Sequence, residues 1–250
     1  MVASRPDDGY WKRNRPLLGV PLTVKESIAV QGMSNTSGMG NGKVAERDAV
    51  CVANLRCLGA IVLAVTNVPQ MCSFWETSNP AFGTTNNPYD TRRTAGGSSG
   101  GEGALLGSAG SVIGIGSDLG GSLRLPANFC GVFAHKPTPG LVSVDGHTPT
   151  CSDPRWPFYF CLGPMARYSE DLPLVLECMI LTKDRPHALN LHEWADMRHL
   201  NIFYMEGEGP KSVLPDTITT EVKDTLIKAV KYLKMEHNCK PKKVCVFEIY

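Results

Sequence analysis

Residues Gly96 to Pro126 read GGSSGGEGALLGSAGSVIGIGSDLGGSLRLP. Two glycine-serine clusters bracket a small-residue segment and a short apolar run. The pattern predicts a glycine loop and small-residue helix over Gly96 to Ser111 and a strand over Ser111 to Gly116. A second glycine turn then ends on Ser122. Working outward, Glu46 to Leu58 has helical spacing, and Gly59 to Val65 (GAIVLAV) reads as a strand buried on both faces. A helix followed at once by such a strand begins an α/β layer structure.

Three chemistries compete for the glycine-serine stretch. A phosphate-binding loop needs G-x-x-x-x-G-K-[ST], and no such Lys follows the glycines. Gly114, Gly116 and Gly120 give G-x-G-x-x-x-G, one residue too long for a dinucleotide fingerprint. Turn formation alone is the plainest reading of either cluster by itself. Acyl transfer is the third. A serine nucleophile needs a base and backbone N–H donors for an oxyanion. Leu119, Gly120, Gly121 and Ser122 can supply the donors, because glycines let successive amides point the same way. The G-x-S-x-G elbow is absent around Ser122, so another serine chemistry is required.

No histidine lies beside either cluster, although His135 follows at a short distance. Lys25 offers a different base. It ends the apolar stretch Val20 to Val24 and precedes Glu26, so either a salt bridge to Glu26 or a buried amine is possible. A buried lysine loses its charge by desolvation and can then accept a proton. Ser-Lys variants of the catalytic triad use this device.

Three pieces occur in order: GVPLTVKES around Lys25, GGSSGG around Ser98, and GIGSDLGGSLRLPANFCGVFAHKPTPG around Ser122. Together they resemble the amidase signature family, densely over Leu17 to Gly140. Within it, TNNPYD, SSGGEG and CLGPMARYSEDL are most similar to the fatty-acid amide hydrolases, in particular the second, membrane-anchored type.

The resemblance implies an amidase-signature α/β fold with a mixed central sheet flanked by helices, incomplete on its C-terminal side. It implies hydrolysis of carboxylic amides, fatty-acid amides above all. Ser122 then resembles the acylated nucleophile. Ser98, joined to Gly97 by a cis peptide, resembles the bridging serine, and Lys25 the base. The amides of Leu119, Gly120, Gly121 and Ser122 resemble an oxyanion hole, and Ser99, Asp118 and Arg124 supporting positions. Two other readings stay open: a glutamine or small-amide amidase of the amidotransferase A-subunit type, and a truncated, catalytically silent form. No cofactor is implied. The expected partner is a small, lipid-like amide, with a membrane surface and a second copy of the chain as further possibilities.

The remaining residues bound these readings. The 250 residues are 42% hydrophobic, ample for a core, and carry a net charge of +1, which excludes a strong field for nucleic acid. Nine cysteines at irregular spacings point to reduced, intracellular thiols, with Cys51, Cys57 and Cys178 as small core residues. The six histidines show no ligand spacing, so no metal site is expected. The match Asn35-Thr36-Ser37 to a glycosylation acceptor is read as chance. No apolar run reaches the ~18 residues of a membrane span, and the start carries no signal-peptide core.

A helix is expected from Ser169 to Leu181 with Ser169 as its N-cap, and an amphipathic one from Thr217 to Lys234. No linker divides the chain, so one domain is expected over residues 1–250, with a flexible lead-in over residues 1–15. A last strand begins at Lys243, and the chain reads as a piece of a longer protein.

Overall fold

The computed structural model describes residues 9, 14–180, 196–207 and 218–244. The expected lead-in falls mostly outside them, as does most of the last expected strand. The chain forms two compact units, Met1–Leu189 and Asn190–Tyr250.

In the first unit, strand β1 (Pro21–Lys25) leads through loops to helix α1 (Val50–Cys57) and strand β2 (Ile61–Thr66). A short hairpin, β3 (Ser78–Asn79) and β4 (Gly83–Thr84), precedes helix α2 (Gly100–Gly107). Strand β5 (Ile113–Asp118), helix α3 (Arg124–Cys130), strand β6 (Phe133–Ala134), strand β7 (Cys161–Ala166) and helix α4 (Asp171–Met179) follow. The sheet order is β2-β1-β5-β7-β6. β1 runs parallel to β2 and β5, while β7 is antiparallel to β5 and β6, so the sheet is mixed as expected.

The glycines of β5 decide how closely α2 can sit. A Cβ on Gly114 would overlap the Glu102 carboxyl. One on Gly116 would stand 2.7 Å from Leu123 Cδ2 and 2.8 Å from Ser99 Oγ. Both are closer than packed side chains come, so this face of the strand must be bare. Leu106, Leu123, Ala127 and Met165 then close a core patch, with Val132 and Ala134 against it.

Four expectations need correction. β2 is an edge strand, and Ile61 and Leu63 are 51% and 52% exposed, so it is not buried on both faces. The exposure of these side chains depends on what packs over that face of the sheet, which the apolar run itself does not report. Cys57 is exposed at the end of α1, whereas Cys51 and Cys178 are buried. The α4 N-cap is Glu170, and Ser169 Oγ bonds the Glu170 carboxyl instead of the helix. In the second unit, helix α5 (Thr220–Glu236) forms, but of its apolar stripe only Val230 is buried. That unit also holds the parallel pair β8 (Phe203–Tyr204) and β9 (Lys242–Lys243).

Asn35 is buried and its Nδ2 donates to the Glu26 carbonyl, so the glycosylation match is not displayed to solvent. Among the described residues, no helix is long and apolar enough to cross a membrane.

Candidate active site

β1 and β5 are parallel neighbours, with Thr23 opposite Gly114 and Val24 opposite Ile115. Their C-terminal ends therefore deliver Lys25 and Ser117 side by side, where α/β sheets commonly bind ligands. The turn into α2 brings Ser98, and the peptide bond Gly97–Ser98 is cis. Lys25 is fully buried, and its Nζ is hydrogen-bonded to Ser98 Oγ at 2.6 Å and Ser117 Oγ at 2.9 Å.

Glu26 is not its partner. Glu26 lies in the turn after β1, and its carboxylate accepts from Ser34 Oγ and Thr36 Oγ1, both at 2.8 Å. Lys25 thus forms no ion pair among the described residues. Burial pulls its pKa below the ordinary 10.5, against the opposing charges of Cys72, Asp118 and Glu102.

The second glycine turn is built around Asp118, a buried carboxylate. Its Oδ1 accepts from Gly121 N at 2.8 Å and its Oδ2 from Leu123 N at 3.0 Å. Arg124 closes the same carboxylate with Nε at 3.0 Å and Nη2 at 2.9 Å. Burial raises the Asp118 pKa, but these donors outweigh it and hold the carboxyl below its usual range. Ser99 N donates to the Ser122 carbonyl at 3.2 Å and ties the two serine segments together. Of the four amides expected in the oxyanion hole, Gly121 N–H is engaged by Asp118. Those of Leu119, Gly120 and Ser122 make no hydrogen bond among the described residues.

Ser98 and Ser122 open onto one cavity of about 230 Å³. Its apolar wall includes Met71, Leu119, Trp156 and Phe160.

Two groups at the site are absent from the sequence reading. Ser117 is one, hidden in the alternation GIGS, where it looks like another strand residue. His147 is the other, and nothing in its loop marks it. Its Nε2 is 3.1 Å from both Ser27 Oγ and Ser117 Oγ, and its Nδ1 is 3.0 Å from the Pro149 carbonyl oxygen. His135, the histidine nearer in sequence, bonds through its backbone N to the Pro164 carbonyl. Among the described residues, no cluster of three or more His, Cys, Asp or Glu side chains could hold a metal ion.

A family model described as Amidase matches residues 3–213. The chain belongs to the amidase signature family. Fatty-acid amide hydrolase 2 of Homo sapiens is 43% identical over 211 residues, which cover 84% of this chain and 39% of that protein. Among solved structures, a fatty acid amide hydrolase superposes with a TM-score of 0.76 at 27% identity, covering 95% of this chain and 43% of that one. The A subunit of glutamyl-tRNA(Gln) amidotransferase from Thermotoga maritima also gives 0.76, at 26% identity, covering 92% of this chain and 50% of that one. This amidase chain thus spans about two fifths of the length of the curated relative.

Proposed function

We propose that this chain carries the nucleophile, relay and base of a serine hydrolase that cleaves carboxylic amides through an acyl-enzyme. The observation that carries the reading is a buried amine with no ion pair among the described residues, 2.6 Å from a serine hydroxyl that shares a cavity with Ser122. Neutral Lys25 takes the Ser98 proton while Ser98 takes that of Ser122. Ser122 Oγ attacks the amide carbon. The amides of Leu119, Gly120 and Ser122 hold the oxyanion, each such donor being worth about 10²–10³ in rate. Gly121 supports the hole by fixing the turn on Asp118. The proton returns through Ser98 to the leaving nitrogen, which departs as an amine. Water then attacks the acyl group, and Ser122 is regenerated. No step calls for a cofactor.

A lipid amide is the favoured substrate, because the wall of Met71, Leu119, Trp156 and Phe160 suits an acyl chain better than a polar side chain. The amidotransferase-type reading is supported by the equal superposition on the T. maritima protein. Turnover of a long-chain fatty amide against glutamine separates the two. The likeness to fatty-acid amide hydrolases also suggests a membrane surface and a second copy of the chain as partners, inside the cell. Vesicle co-sedimentation and light scattering test these.

The deciding experiment is labelling with a fluorophosphonate. Wild type labels and Ser122→Ala does not. A folded wild type that fails to label, or a Ser122→Ala variant that labels equally well, sinks the proposal.

A further inference from the structure

The proposed relay needs the lone pair of Lys25 Nζ to face Ser98. A neutral amine has two N–H bonds and one lone pair, so its other contacts decide where that pair points. Nζ meets two hydroxyls, Ser98 at 2.6 Å and Ser117 at 2.9 Å. A hydroxyl can donate to an amine or accept from it. Ser117 therefore competes with Ser98 for the lone pair unless its own proton is held elsewhere.

His147 holds it. The Pro149 carbonyl can only accept, so Nδ1, at 3.0 Å, carries a hydrogen. Burial pushes the ring pKa down to about 3, so the ring is neutral and Nε2 is bare. Ser27 and Ser117, each 3.1 Å from Nε2, can meet the bare nitrogen only as donors and share its one lone pair. Ser117 has a single proton. Having given it to His147, its oxygen can only accept from Lys25. One N–H of the amine is thereby committed to Ser117, and the lone pair is left for Ser98.

The ring is fixed for this task. Phe160 packs against it with centroids 4.6 Å apart, and Trp156 stacks behind Phe160 at 4.5 Å. Gly146 has φ +93°, and a Cβ there would stand 2.5 Å from Ala49 Cα, so only glycine lets the loop pass close enough. The groups facing the network are Lys25, Ser27, Ser98 and Ser117 by hydrogen bond and Cys72, Glu102 and Asp118 by charge.

We infer that His147 is a positioning residue: by holding the Ser117 proton it sets the direction of the hydrogen bonds at Lys25 and keeps the amine lone pair on Ser98. This rests on the reading of Lys25 as the base.

The test compares fluorophosphonate labelling rates of variants of the whole chain from about pH 6 to about pH 10. His147→Ala frees the Ser117 proton to occupy the Lys25 lone pair, and labelling falls about tenfold or more. Adding Ser117→Ala to His147→Ala removes the competitor and recovers most of that loss, a coupling opposite in sign to two independent structural defects. His147→Gln, whose side-chain carbonyl can accept from Ser117, stays close to wild type. A double variant no faster than His147→Ala overturns the inference, as does a His147→Ala variant that matches wild type while Ser122→Ala is silent. Labelling of Ser122→Ala instead overturns the reading beneath it. Nitrogen NMR of the wild-type histidines reads the tautomer without recourse to reactivity. His147 is expected with a proton on Nδ1 and none on Nε2, and a proton on Nε2 refutes the inference.

Discussion

Lys25 Nζ and Ser98 Oγ stand 2.6 Å apart in a setting where Lys25 has no exposed surface. An ammonium there would give up its hydration with no carboxylate partner among the described residues to replace it, so the neutral amine is favoured. The labelling rate should rise with pH as Lys25 loses its proton and level off below the ordinary lysine value of 10.5. Lys25→Ala should lose about 10² or more near neutral pH. A variant of full reactivity would remove Lys25 from the mechanism.

Asp118 collects donors from Gly121, Leu123 and Arg124. In Asp118→Asn one of its two oxygens becomes an NH₂ group, which faces N–H donors it cannot accept from. The loss should be on the order of 3 kcal/mol, as for breaking a buried ion pair. Denaturant unfolding measures it. Labelling should fall too, because the turn that aims the Leu119, Gly120 and Ser122 amides loosens.

Glu102 is buried and accepts from Thr23 Oγ1 and Thr66 Oγ1, both at 2.7 Å. Burial outweighs these donors and pushes its pKa up from 4.5 to about 7. The folded state thus holds a proton that the unfolded chain has already released. Its contribution is full below about pH 4.5 and is lost as pH rises through about 7, on the order of 3 kcal/mol in all. Unfolding midpoints should fall between about pH 5 and about pH 8 in wild type, and less steeply in Glu102→Gln.

Gly116→Ala would press a methyl group into Leu123 and Ser99, and should cost about 1–3 kcal/mol. Gly120→Ala meets nothing within 4 Å and has no left-handed φ, so its melting temperature should match wild type. Thermal melts of the pair settle the contrast. Equal melts would mean that β5 and the Ser99–Leu123 layer are looser than described.

Much of the fold is written in local pattern. β1, α1, α2 and β5 coincide with apolar runs and glycine punctuation, and Lys25, Ser98 and Ser122 sit in segments readable as chemistry. β7 is not readable in this way. Its six residues, Cys161–Ala166, are all buried, yet they include Gly163 and Pro164, which ordinarily argue against a central strand. α3 is equally hidden, because Pro126 looks like a breaker but sits in the first turn, where its missing N–H costs nothing. The exposure of β2 depends on what packs over its face, not on its own residues. His147 reaches Ser117 only through the folded loop, so spacing could not have announced it.

The bare face of β5 has a further consequence. Where Gly114 and Gly116 meet Glu102, Ser99 and Leu123 there is no side chain to exchange for a slightly different one. Drift in sequence and laboratory selection alike have no neighbouring step to take at these positions. On the proposed function, a change of specificity would have to come from the cavity wall, at Met71, Trp156 and Phe160, and not from these glycines.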